Sequence, residues 1–156
     1  MKNKKIKTQE ELVSRIKKEK QLNKIIGFTN GCFDILHLGH IRYLQQAKKE
    51  SDILIIGVNS DDSIKRLKGD SRPVNNQDAR LEVLSAIEFV DFLTIFYQDT
   101  PEELIQKINP NILFKGKDWE GKKIAGAEYI VNNGGKLKLI SYEQGYSTTN
   151  TISKMF

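Results

Sequence analysis

The stretch Ile25-Ile26-Gly27-Phe28-Thr29-Asn30-Gly31-Cys32-Phe33-Asp34-Ile35-Leu36-His37-Leu38-Gly39-His40 begins apolar, passes through a glycine-rich turn and enters a helical pattern. Ile25–Thr29 reads as a short buried strand. From Gly39 to Glu50, Ile41, Leu44 and Ala47 recur at the spacing of one helix face, giving a strand–turn–helix unit. Asp52-Ile53-Leu54-Ile55-Ile56-Gly57-Val58 follows at once and is apolar on both faces. That is the pattern of a parallel strand covered by helices on each side.

The alternation continues outward. A short helix is expected over Asp61–Arg66, then a polar loop from Lys68 to Asn75, a helix to about Ile87, and a strand near Asp91–Ile95. Thr100-Pro101-Glu102-Glu103 predicts a helix with Thr100 as its cap, Pro101 first and Glu103 third, ending before Pro110. Ile112–Phe114 and Leu137–Ile140 read as strands. Between them, Ile124–Asn133 reads as a helix stopped by Gly134-Gly135. A last short helix begins near Ser147. Upstream, Thr8 and Glu11 form a capping box for a helix over about Gln9–Gln21. Strand–helix alternation throughout defines an α/β sandwich with a mostly parallel sheet.

The 156 residues, 38% of them hydrophobic, suit one core. No apolar run approaches the roughly 20 residues of a membrane helix, and the lysine-rich start has no following apolar region, so neither membrane nor secretory signal is expected. A single cysteine, Cys32, leaves no intrachain disulfide and suggests a cytoplasmic setting. The net charge of +5 is concentrated in residues 1–24, which carry nine Lys/Arg and three Asp/Glu. With the excess confined to one basic helical segment and no reader motif, no nucleic-acid partner is expected.

Parallel sheets bind ligands beyond the carboxyl ends of their strands. The segments to inspect are therefore Asn30–His40, Asn59–Asp61, Phe96–Thr100, Lys115–Trp119 and Ser141–Thr149. Both histidines of the chain, His37 and His40, lie in the first, flanking Gly39. Gly39 permits close approach of backbone to a ligand, and His40 falls in the first turn of a helix, where free N–H groups and the dipole favour an anion. Gly31 opens the preceding turn in the same way. Together these features point to a polyphosphate. A zinc site of Cys32, His37 and His40 is an alternative, but no further ligands at zinc spacing accompany it. Cys32 also reads either as a nucleophile or, more simply, as a small buried residue.

This turn resembles the signature of the His-x-Gly-His cytidylyltransferase-like nucleotidyltransferases, and the likeness runs from about Gly27 to Ser153. It implies a Rossmann-like three-layer α/β sandwich, with residues 1–24 a basic helical segment and 25–156 the nucleotidyltransferase domain. Val58-Asn59-Ser60-Asp61, Lys65–Val74, Asp99-Thr100-Pro101, Lys115–Trp119 and Gly145-Tyr146-Ser147-Thr148-Thr149-Asn150 are similar to the D-glycero-D-manno-heptose 1-phosphate adenylyltransferase branch. Asp118-Trp119-Glu120-Gly121-Lys122 departs toward the glycerol-3-phosphate cytidylyltransferases, the rival branch. The heptose branch implies transfer of AMP from ATP to a heptose 1-phosphate, giving ADP-heptose and pyrophosphate for surface-polysaccharide or lipopolysaccharide core synthesis. The rival implies CTP and a polyol phosphate. In many bacteria the heptose enzyme is fused to a sugar kinase; no kinase segment is read in these residues, so a separate kinase is expected to supply the substrate.

The resemblance also implies roles. His37 and His40 would contact the triphosphate and transition state, joined by Lys68 and Arg80 at the phosphates. Thr29, Asn30, Gly31, Phe33 and Gly39 would form the nucleotide floor, with Gly116, Asp118, Tyr146, Ser147, Thr148 and Thr149 completing the nucleotide site. Asp34, Arg72 and Trp119 are candidates on the acceptor side. Plainer readings stay open: a turn residue for Asp34, a surface lysine for Lys68, a helix-surface ion pair for Arg80, packing for Trp119, helix capping for Ser147–Thr149. Mg²⁺ is expected on the nucleotide phosphates, with no protein ligand assigned. The resemblance further implies small-molecule substrates and a homodimer.

Overall fold

A computed structural model of the chain describes residues 2–141 and 145–155. Residues 142–144, within the Ser141–Thr149 segment singled out above, lie outside them. Five strands, β1 (Ile26–Gly31), β2 (Ile53–Asn59), β3 (Phe92–Phe96), β4 (Ile112–Gly116) and β5 (Lys136–Ile140), form one sheet in the order β3-β2-β1-β4-β5. Every pairing is parallel. The α-helices are α1 (Gln9–Gln21), α2 (Leu38–Lys49), α3 (Asp61–Lys68), α4 (Gln77–Ser85), α5 (Glu102–Ile108), α6 (Ala127–Asn132) and α7 (Thr148–Met155); Lys117–Trp119 make one 3-10 turn. The architecture is a Rossmann-like α/β sandwich.

Side-chain alternation along the strands divides the core into two layers. Leu54, Ile56 and Val58 of β2 pack with Tyr43, Leu44 and Ala47 of α2 and with Leu81 and Leu84 of α4. Ile55 and Phe28 face the other way, onto Leu12 and Ile16 of α1 and Leu104, Ile105 and Ile108 of α5. The basic N-terminal helix thus has an apolar stripe inside the core and its lysines outside. Its capping box is present, Thr8 and Glu11 satisfying each other's backbone amides. Just before it, Lys7 N–H donates to the Leu93 carbonyl and Leu93 N–H to the Lys5 carbonyl, covering the outer edge of β3.

Two helix starts differ from the sequence expectation. Helix α5 begins one residue later, because the first helical bond runs from Ile105 N–H to the Pro101 carbonyl. Pro101 is therefore the cap, Thr100 lines the cavity described below, and Glu103 accepts from Gln98. Helix α6 begins at Ala127 rather than Ile124. Gly126 before it has φ +82°, and a side chain there would strike Ile105, so Ile124 packs into the core as irregular chain. Strand β4 extends to Gly116, two residues beyond the expected end.

Candidate functional site

Strand β1 lies between β2 and β4, so the connections out of its neighbourhood leave in opposite directions. A crevice at such a switch point is where an open parallel sheet receives its ligand. A cavity of ≈ 600 Å³ opens there, with Asn30, Gly31 and Phe33 on its floor, His40 and Lys68 on one side, and Lys115, Gly116 and Trp119 on another.

The β1–α2 turn is held from beneath. Asp34, 3% exposed, accepts from Arg72 Nε at 2.9 Å and from the amides of Val74 and Asn75 at 2.8 and 2.9 Å. Burial works against its ionisation, but the Asn75 and Val74 amides and the Arg72 guanidinium prevail and hold the carboxyl below its usual range. Asp34 thereby ties the 72–75 loop to the turn. Arg80, 1% exposed, donates to the carbonyls of Asn75, Cys32 and Asn59 and pairs with Asp61 at 2.8 Å. It lies under the cavity and joins β1, β2, α3 and α4, as an interior residue and not a helix-surface one.

His37 precedes α2 and His40 occupies its first turn. Their rings stack with centroids 3.8 Å apart. Gly39 is required between them, since a Cβ there would lie 2.9 Å from the His37 ring. The His37 backbone N–H donates to His40 Nδ1 at 3.2 Å. An Nδ1 that accepts leaves the neutral ring's proton on Nε2, so His40 offers an N–H donor. Burial, then the neighbouring His37 and Lys68, push the His40 pKa down to about 4, and burial lowers that of His37. His40 is therefore uncharged at neutral pH and donates as an imidazole.

Three buried side-chain polar atoms among the described residues lack a partner: Asn30 Oδ1, His37 Nδ1 and Arg72 Nη2. Asn30 and Arg72 line the cavity and His37 stacks on His40, which also lines it. Unpaired buried polar atoms are rare in folded proteins, and their convergence marks a surface prepared for a polar ligand.

Other candidates stand elsewhere. Thr29 is buried and hydrogen-bonds Tyr43 at 2.9 Å, on the helix side of the strand. Ser147 accepts from Asn150 N–H and caps α7, while the Thr148 hydroxyl donates to the Ile35 carbonyl at 3.3 Å and Thr148 lines the cavity. Thr149 and Asp118 are exposed, outside the cavity lining. The Tyr146 ring faces His37 at 6.4 Å. The sequence points to the segments that hold Asn59 and Lys115 but to no role for either; both are buried and both line the cavity. The signal for Lys115 was a lysine at the end of an apolar strand; its expected position was the loop.

Among the described residues no cluster of three or more His, Cys, Asp or Glu could hold a metal. Of the cavity's carboxylates, Asp34 is tied to Arg72 and Asp99 to Arg66. This donor set suits a cation carried in on substrate phosphates better than a resident ion. No helix among the described residues is long and apolar enough to cross a membrane.

The chain is similar to a set of longer proteins. It is 49% identical to the bifunctional protein HldE of Aliarcobacter butzleri over 98% of its own length, and 51% identical to that of Campylobacter jejuni (strain 81116 / NCTC 11828) over 97%. It spans about a third of either relative, 31% and 32%. Among solved structures, the lipopolysaccharide core biosynthesis protein of Thermoplasma volcanium matches 80% of this chain and 99% of its own, with TM-score 0.63 and 29% identity. A pantoate-beta-alanine ligase of Francisella tularensis shares the fold, with TM-score 0.65 at 18% identity over 94% of this chain and 72% of its own. The cytidylyltransferase-like family profile matches residues 28–151, on the strands and turn that build the cavity, and the chain belongs to that family.

Proposed function

We propose that the protein transfers AMP from ATP to D-glycero-D-manno-heptose 1-phosphate, forming ADP-heptose and pyrophosphate. The observation that carries this is the stacked His37–His40 pair at the start of α2, beside unpaired Asn30 and Arg72 atoms in one cavity. A phosphate oxygen of the sugar attacks the α-phosphorus of ATP in line. The bond to the bridging oxygen breaks, and pyrophosphate leaves with that electron pair. No protein nucleophile is needed, because positioning and stabilisation of developing charge carry such reactions. His40 Nε2–H and the α2 N-terminus donate to the phosphates, and Lys68, exposed at the cavity rim, closes on them. Arg72 Nη2 is free to take an oxygen of the acceptor. Arg80 supports the phosphate floor through the Cys32 carbonyl. Gly116 and Thr148 bound the nucleoside end, with Tyr146 beside His37, and Trp119 stands on the acceptor side.

Mg²⁺ enters as the ATP complex. The similarity to HldE proteins and to a lipopolysaccharide core biosynthesis protein supports a heptose acceptor and a place in surface-polysaccharide synthesis; a cytoplasmic homodimer is proposed with it. The test is pyrophosphate release with ATP or CTP crossed with heptose 1-phosphate or glycerol 3-phosphate. Release only with ATP and the heptose phosphate is expected. Release only with CTP and glycerol phosphate would overturn the assignment, and Lys68→Ala should raise the KM for the nucleotide.

A further inference from the structure

Lys115 is buried in the cavity wall, 9% exposed, at the last turn of pleat before Gly116. Among the described residues no hydrogen-bond acceptor and no carboxylate within ion-pair distance meets its ammonium group. Its one close neighbour of any strength is the Trp119 ring, whose centroid lies 4.8 Å from Nζ. The side chain is largely desolvated while its ammonium end reaches the cavity without a protein partner, and an anionic ligand there would offset the cost of that desolvation. The other cations of the site are differently placed. Arg80 is surrounded by acceptors, and Arg72 already balances Asp34. Lys68 acts on His40, whereas Asp118 acts on Lys115. The cavity therefore has two separate positive regions. One lies at the histidines; the other, at the end of β4, has an aromatic ring against it and the exposed Asp118 beyond ion-pair distance.

In-line attack brings two anions together, the acceptor phosphate and the α-phosphate. A cation on the acceptor side, apart from those that hold the donor, lowers that repulsion. We propose that Lys115 binds the phosphate of the acceptor sugar and positions it for attack, selecting an anionic acceptor over a neutral one. This rests on the nucleotidyltransferase reading above. The depressed basicity of Lys115, down to about 8 through burial and despite Asp118 and Cys32, adds a consequence. The free enzyme loses its acceptor-binding charge as pH rises through that value, so kcat/KM for the acceptor should fall above it.

The experiment is Lys115→Met beside wild type. Steady-state kinetics would be combined with calorimetric titration of heptose 1-phosphate in the presence of a non-hydrolysable ATP analogue. Lys115→Met should raise the acceptor KM and Kd about 30-fold, the range of a lost charge-assisted hydrogen bond, and leave analogue binding within about twofold. It should also abolish the alkaline fall in kcat/KM. An unchanged acceptor KM, or equal losses for nucleotide and acceptor, would overturn the proposal. If wild type binds heptose 1-phosphate through Lys115 yet releases no pyrophosphate, the reaction is wrong and the site stands. If wild type turns over and Lys115→Met keeps its KM and pH profile, the site is wrong and the reaction stands.

Discussion

The two buried cations at this site contrast sharply. Arg80, beneath the β1–α2 turn, meets three backbone carbonyls and Asp61; Lys115, at the end of β4, meets an aromatic ring and the open cavity. Arg80 sits on α4 and Lys115 on β4, and both are buried against the same cavity. The first is finished by the fold and serves it. The second is left unfinished, and burial depresses the basicity of Lys115. Partnership, more than depth, separates a cation that holds a scaffold from one that waits for a ligand.

The sharpest probe of the finished region is the half-buried His40 donor. His40→Asn keeps an acceptor near the Nδ1 position for the His37 amide and removes Nε2–H. It should lower kcat by about 10²–10³, the usual loss for one transition-state donor, with the folded structure retained by circular dichroism. Normal turnover would remove the histidines from the mechanism. Arg80→Met should follow with a loss of about 3 kcal/mol of stability and about 10 °C in Tm, because Asp61 and three carbonyls lose their partner. A Tm within 2 °C of wild type, by the scale of ordinary surface substitutions, would end the contrast.

Lys115→Met should act in the opposite direction. Removing a charge that the fold desolvates without a protein partner should raise stability by about 2 kcal/mol and Tm by about 5 °C in thermal unfolding at pH 7 without substrates. Tm lowered as in Arg80→Met would show that both cations are structural. The smallest effect concerns acid. With the folded pKa of His40 near 4 and its ordinary value 6.5, the unfolded chain binds the proton first as pH falls between them. The contribution is fully present above pH 6.5 and lost on the way to 4. Wild type should therefore lose about 1–2 kcal/mol between pH 7 and 5 that His40→Asn does not. Parallel pH–stability curves would contradict a buried neutral His40.

Much of this contrast is invisible in the sequence, although the fold is not. Apolar runs such as Leu54–Val58 and the capping box at Thr8 specify their elements locally, and α1 spans Gln9–Gln21 as read. His37, Gly39 and His40 lie within one turn, so their spacing alone raises the expectation of an anion site. Arg80 is different, since its carbonyl partners Cys32 and Asn59 are 48 and 21 residues away. Asp34 likewise depends on residues 38–41 positions ahead. Lys115 becomes buried only because β4 lies beside β1 and runs on to Gly116. Strand order carries that information, and local periodicity does not.

The proposed reaction moves a nucleotidyl group and not a terminal phosphoryl group. The direct measurement is the fate of phosphorus label after incubation of the protein with heptose 1-phosphate and ATP carrying ³²P at the α or the γ position. Nucleotidyl transfer puts α-label in ADP-heptose and γ-label in pyrophosphate, with both slowed about 10²–10³-fold in His40→Asn. Label from the γ position in the sugar product, or α-label recovered only in unreacted nucleotide with the wild-type protein, would contradict it.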